Sequence, residues 1–259
     1  MPTTYAHHRF GAEMLRLMPA DVRGTAKRHR HLYDTGLQGP DLLFFYRPVF
    51  PGKIHRLGRK FHMQTGREFF SRVCRNLRLE PSEGGQAYLY GVLCHFALDA
   101  GCRPLVTQVE GAVNQMGVER SFDRFLMERD GCCLTGALCL PEPLMLTDRE
   151  CGILSRFYPG TDKAVIRESL WSMRKIHRIL EMEPGPARTM LMKALEFGLG
   201  DVRDRIAGQI PDAAWSHWNQ PLLERYRQAA EAFPDMLLKL IAHLTYNAPL
   251  GESFDPIFG

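Results

Sequence analysis

The stretch Ala87-Tyr-Leu-Tyr-Gly-Val-Leu-Cys-His-Phe-Ala-Leu-Asp99, continued by Ala100-Gly-Cys-Arg-Pro104, decides how the rest of the chain is read. It is almost entirely apolar and has no proline before Pro104, which predicts a helix buried on most sides. His95 and Asp99 lie four residues apart within it. At 1.5 Å rise per residue they stand about 6 Å apart on one face, reaching toward the same point. An unpaired ionised group inside an apolar helix costs several kcal/mol. Two arrangements relieve that cost: a bound divalent metal, or a buried hydrogen-bonded pair.

The flanking sequence is helical in pattern on both sides. Upstream, residues 8–19 carry apolar positions Phe10, Met14, Leu15, Leu17 and Met18 in a short helix that Pro19 ends, with His7 at the start. Asp21 is positioned to cap a basic helix running through Arg23–His31. Gly39-Pro-Asp41 is a turn, and Asp41 stands where it could cap the apolar run Leu42–Tyr46. Pro48 to Gly52 is an exposed loop. A helix is expected over 56–78, with Leu57, Phe61, Phe69, Phe70 and Val73 inside and His55 and His62 near its start, then a loop over 80–85. Downstream, a helix over 105–129 carries Glu119 on its inner side. The glycine-, cysteine- and proline-rich 131–143 has no assignable structure, and Thr147 caps the next helix. Helical patterns follow over 161–180, 186–208 and 220–245. No strand-like alternation persists and no repeat is present. The expected fold is all-α, a single-domain helical bundle spanning 1–259.

Composition narrows the class. The chain is 45% hydrophobic and 24% charged with a net charge of +4, which is globular and too mildly basic to argue for nucleic acid. The seven cysteines form no Cys-x-x-Cys pair, so neither a zinc ribbon nor a redox motif is expected, and reduced thiols fit a cytoplasmic protein. No signal-peptide pattern opens the sequence. No run approaches the ~18 apolar residues of a membrane span.

Four stretches together resemble the zinc-dependent phospholipase C family, an all-helical fold shared with the P1-type nucleases. They are Thr-Tyr-Ala-His7-His8-Arg-Phe-Gly; Gly39-Pro-Asp41 before an aromatic run; Phe61-His62; and Leu89-Tyr-Gly-Val-Leu-Cys-His95-Phe-Ala-Leu-Asp99. Glu119-Arg-Ser-Phe-Asp and Trp215-Ser-His-Trp-Asn-Gln-Pro221 are weaker echoes. The resemblance implies a one- or two-zinc centre held by His7, Asp41, His62, His95 and Asp99, with Asp99 bridging and Asp41 as general base. It implies a phosphoester hydrolase acting on a phospholipid head group or another small phosphodiester, an anion that the basic residues of 23–31 and 53–60 could attract, with peripheral membrane contact.

The chain departs from the family pattern at three points. Arg103 stands where the family has a metal-binding histidine before proline, and Gln115 where it has another. A guanidinium has no lone pair to offer a metal, so the family's third zinc site is expected to be lost. Without that cation Glu119 needs another positive partner, and a bidentate Arg103–Glu119 pair would supply one. Finally, the N-terminal tryptophan whose amine serves as a ligand in secreted members has no counterpart here. These losses leave a second reading open: a catalytically degenerate relative that acts as a helical binding or structural protein. Nucleic-acid hydrolysis is the weakest reading, because Trp171, Trp215 and Trp218 lie far from the proposed ligands in sequence.

Overall fold

The computed structural model describes residues 4–48, 50, 52–109, 111–132, 145–182, 185–187, 190 and 213–258. Among these the structure is helical, with only two isolated β-bridges, so the expected all-α class holds. The order is α1 (Thr4–Leu17), α2 (Ala20–Arg28), α3 (Arg30–Gly36), a 3-10 helix (Gly39–Phe45), α4 (Lys53–His62), α5 (Gly66–Leu79) and α6 (Glu83–Val106). Then come α7 (Ala112–Arg129), α8 (Asp148–Ser155), α9 (Lys163–Glu181), a 3-10 helix (Ala213–Trp218), α10 (Asn219–Tyr246) and a last 3-10 turn (Glu252–Phe254). The unassigned 131–143 and the pattern over 186–208 lie largely outside the described residues.

Helix α6 is the axis of the bundle. Every residue from Ala87 to Asp99 is buried, as expected of a helix apolar on all sides. It begins earlier than the sequence pattern indicates, because Ser82 caps it by accepting the Gly85 N–H at 3.1 Å. Pro104 lies inside its last turn without ending it. Helix α3 packs directly on α6 through Gly36 and Gly91. A Cβ on Gly36 would collide with the Tyr88 carbonyl, and one on Gly91 with the Tyr33 carbonyl. This backbone-to-backbone approach sets the segment after α3 against His95.

The helix expected over 56–78 is two helices. Thr65 accepts the Glu68 N–H at 3.1 Å and Glu68 returns a bond to the Thr65 N–H at 3.1 Å, a capping box that starts α5 afresh. The C-terminal tail occupies the break: Gly66 N–H donates to the Pro256 carbonyl at 2.9 Å and Phe258 N–H to the Gln64 carbonyl at 3.1 Å. That tail buries Phe254 and Phe258 against Phe69, Phe70 and Phe96 at ring separations of 4.8–6.0 Å, closing the core behind α6.

Helix α10 flanks α6 with Leu222, Tyr226, Phe233, Met236, Leu237 and Leu240 buried, and Pro234 sits within it. Cys74, Cys94, Cys102, Cys132 and Cys151 are free thiols. No described helix is long and apolar enough to cross a membrane.

Candidate metal centre

Five side chains converge beside the middle of α6. His7 comes from α1, on one face with Phe10 and Met14. Asp41 comes from the 3-10 helix, His62 from the last turn of α4, and His95 and Asp99 from α6. All five are buried, His95 and Asp99 completely.

Their ligating atoms form two groups of three that share His95: His7, His95 and Asp99, and Asp41, His62 and His95. Within each group the atoms lie within 4.8 Å of one another. Each Asp99 oxygen faces a different histidine. Oδ1 stands 3.2 Å from His7 Nε2 and Oδ2 stands 3.1 Å from His95 Nε2. Asp41 Oδ1 stands 2.8 Å from His62 Nε2. The His7 and His95 rings stack at 4.2 Å and 20°.

Tautomers decide what these contacts are. His95 Nδ1 lies 3.1 Å from the Leu37 carbonyl and His62 Nδ1 lies 2.8 Å from the Gly58 carbonyl. A carbonyl oxygen only accepts, so both Nδ1 atoms carry the proton. The Nε2 of each neutral ring is then a bare lone pair aimed at a carboxylate oxygen, an acceptor facing an acceptor. A second proton on the ring or a cation between the atoms must separate them.

Around Asp99 the contacts lack hydrogen-bond geometry. His7 Nε2, His95 Nε2 and both Asp99 oxygens are buried and make no hydrogen bond, although the nitrogens and oxygens are only 3.1–3.2 Å apart. The distances are short but the directions are wrong for N–H···O. Two ligands about 2.0–2.1 Å from one tetrahedral ion lie roughly 3.3 Å apart, which is the spacing seen. Buried, unsatisfied polar groups call for such an explanation. Charge agrees: two buried carboxylates among three imidazoles are neutralised by one dication.

Ionisation follows the same layout. Burial pushes His7 down, and the neighbouring His95 pushes it further, outweighing the Asp99 carboxylate. Burial also disfavours charge on His95, but Asp99 outweighs it and the net direction is up. Burial acts to raise Asp99, yet His95 and His7 hold its carboxyl well below the usual carboxylate range.

The local sequence explains the positioning. Gly39 adopts φ +51°, and a Cβ there would sit 2.7 Å from His95 Cγ, so only glycine lets the turn close over the imidazole. Asp41 is not the N-cap of its 3-10 helix, as its place after a turn had led one to expect. That position is Gln38, which makes no side-chain cap bond, and the Asp41 carboxylate turns inward to His62. His7 is oriented from a distance: Asp123 on α7 accepts the Tyr5 and Ala6 N–H groups at 3.0 Å each, capping α1 one residue before it. No sequence pattern signals this role for Asp123.

Arg103 lies one turn beyond Asp99 on α6, and Glu119 is buried on α7. Arg103 Nη1 is buried without a hydrogen-bond partner, so a bidentate pair with Glu119 through that nitrogen is not formed. Gln115 donates to the Val109 carbonyl at 2.9 Å. The remaining histidines stay apart from the centre. His55 is buried and its Nδ1 accepts the Gly52 N–H at 3.2 Å, which steadies the start of α4. His177 is buried edge-on to Phe45, and His243 Nδ1 donates to the Ala248 carbonyl at 2.6 Å.

The chain matches no family model, no curated protein and no solved structure.

Proposed function

We propose that the protein is a metal-dependent phosphoester hydrolase with one or two zinc ions held by His7, Asp41, His62, His95 and Asp99. The observation that carries the reading is the convergence of five buried histidine and aspartate side chains, in which the Nε2 atoms of His7 and His95 approach the Asp99 oxygens without hydrogen bonding. The mixed N/O donor set suits zinc. When bound, the metal would supply Lewis-acid polarisation of a phosphoryl oxygen and an acidified water.

The chain's own groups divide the remaining work. Asp99 faces His7 with one oxygen and His95 with the other, and the resemblance makes it the bridging candidate, although the residue common to both groups is His95, whose Nε2 alone is free to ligate. Leu37 and Gly58 fix the tautomers of His95 and His62, keeping Nε2 free to ligate. Asp41, oriented by His62, is the candidate general base, accepting the proton of the attacking water on its carboxylate. The resemblance to the zinc-dependent phospholipases C points to a phospholipid head group or a similar small phosphodiester as substrate.

The test is hydrolysis of bis(p-nitrophenyl) phosphate by zinc-loaded protein beside Asp41→Asn. The reading expects turnover that falls roughly 10²–10⁴-fold in the variant. The burial of all five side chains favours a second reading, in which the same centre binds metal and braces the bundle without turnover. Tightly bound metal with no hydrolysis of any phosphoester would select it.

A further inference from the structure

Helix α4 has two unlike faces. Ile54, Gly58, Phe61 and His62 are buried, while Lys53, Arg56 and Lys60 are exposed and lie within ~60° of one another around the helix. The helix contains no acidic residue, and none of these three cations has an ion-pair partner among the described residues. Large apolar side chains stand out at both ends: Phe50 is 77% exposed just before the helix and Met63 is 67% exposed just after it. Phe50 is held there by a turn in which its N–H donates to the Arg47 carbonyl at 2.8 Å.

The Phe50 turn is tied to α9. Arg47 Nε donates to Glu168 at 2.9 Å, joining the Phe50 turn to that helix. Glu168, Trp171 and Lys175 fall at i, i+3 and i+7, on one side of α9. Trp171 is 51% exposed, with Lys175 Nζ 3.3 Å from its ring centroid. Arg47 neutralises Glu168, so the combined face is cationic, with two exposed aromatic rings.

We propose that this face attaches the protein to an anionic lipid bilayer, with Lys53, Arg56 and Lys60 against the head groups and Phe50 and Trp171 at the acyl boundary. Charge complementarity selects an anionic surface, and Met63, an exposed apolar tip with no ring to stack on a base, favours lipid over nucleic acid. The proposal is independent of the metal centre, although docking would bring the helix that carries His62 onto the membrane.

The test is co-sedimentation of the full chain, in EDTA, with phosphatidylcholine vesicles with and without about 30 mol% phosphatidylserine. Partition onto the serine-containing vesicles and little onto the neutral ones is expected. The triple variant Lys53→Glu, Arg56→Glu, Lys60→Glu should lower the partition coefficient at least ~100-fold. Vesicles with brominated acyl chains should quench the wild-type tryptophan fluorescence, and Trp171→Phe should remove that quenching. Three outcomes would overturn the proposal: no partition onto anionic vesicles, equal partition of the charge-reversed protein with an unchanged circular dichroism spectrum, or binding to single-stranded DNA without binding to vesicles.

Discussion

His95 Nε2 stands 3.1 Å from Asp99 Oδ2 inside a fully buried helix, yet the two atoms do not hydrogen bond. The other ring nitrogen, Nδ1, already donates its N–H to the Leu37 carbonyl. A histidine and a carboxylate one turn apart are ordinarily a pair in themselves. Here His7 faces the second Asp99 oxygen, and Asp41 and His62 complete a second group around the same imidazole. The geometry is one that a bound cation would explain, and the proposed zinc centre rests on it.

Zinc should therefore stabilise the fold in proportion to its binding. At about 100 times its dissociation constant the gain is about 2.7 kcal/mol. Asp99→Asn keeps the shape and removes the charge that both histidines face. Thermal unfolding with and without zinc should show a zinc-dependent rise in Tm for the wild type and none for this variant.

The pH dependence of the metal-free protein has a definite sign on its acid side. Asp99 is held below its ordinary value of 3.8 in the fold, so the unfolded chain takes up the proton first. Its contribution to stability is present above that value and disappears as pH falls through the folded value. Asp99→Asn should flatten the acid arm of a stability-versus-pH curve measured in EDTA. Asp99 pushes His95 toward its protonated form, and a metal on Nε2 competes with that proton, so calorimetry in buffers of different ionisation enthalpy should detect proton release on zinc binding.

Gly39→Ala adds one methyl group against the His95 ring at a backbone φ of +51°. The strain should lower stability by about 1–3 kcal/mol. It should also weaken zinc affinity, measured by competition with a chromophoric chelator. An unchanged affinity would mean that the turn plays no part in setting the imidazole.

Asp123→Ala removes the acceptor of two N–H groups at the start of α1. A loss of roughly 1–3 kcal/mol is expected in denaturant titration. Because His7 follows directly, zinc affinity should fall as well. Retained affinity with reduced stability would confine Asp123 to helix capping.

The fold class was legible because α6 is apolar over more than three turns, a length only a central helix uses. His95 and Asp99 stood out for the same reason: nothing else in Ala87–Asp99 is strongly polar. His7, Asp41 and His62 were reached only through the resemblance, since their spacing along the chain carries no geometric information. The division of α4 from α5 was written in Thr65-Gly-Arg-Glu68, a capping signal overridden by the continuous aromatic spacing from Phe61 to Phe70. Asp123 and the Phe258 tail act across more than a hundred residues of sequence, and no local pattern encodes such contacts.

The most direct measurement is metal stoichiometry by elemental mass spectrometry on protein purified without added metal, wild type beside His95→Ala. The account predicts one or two equivalents of zinc in the wild type and loss of that zinc in a variant that still shows helical circular dichroism. No metal in the wild type, even after incubation with zinc, would contradict it. The five buried side chains would then be a proton-sharing network.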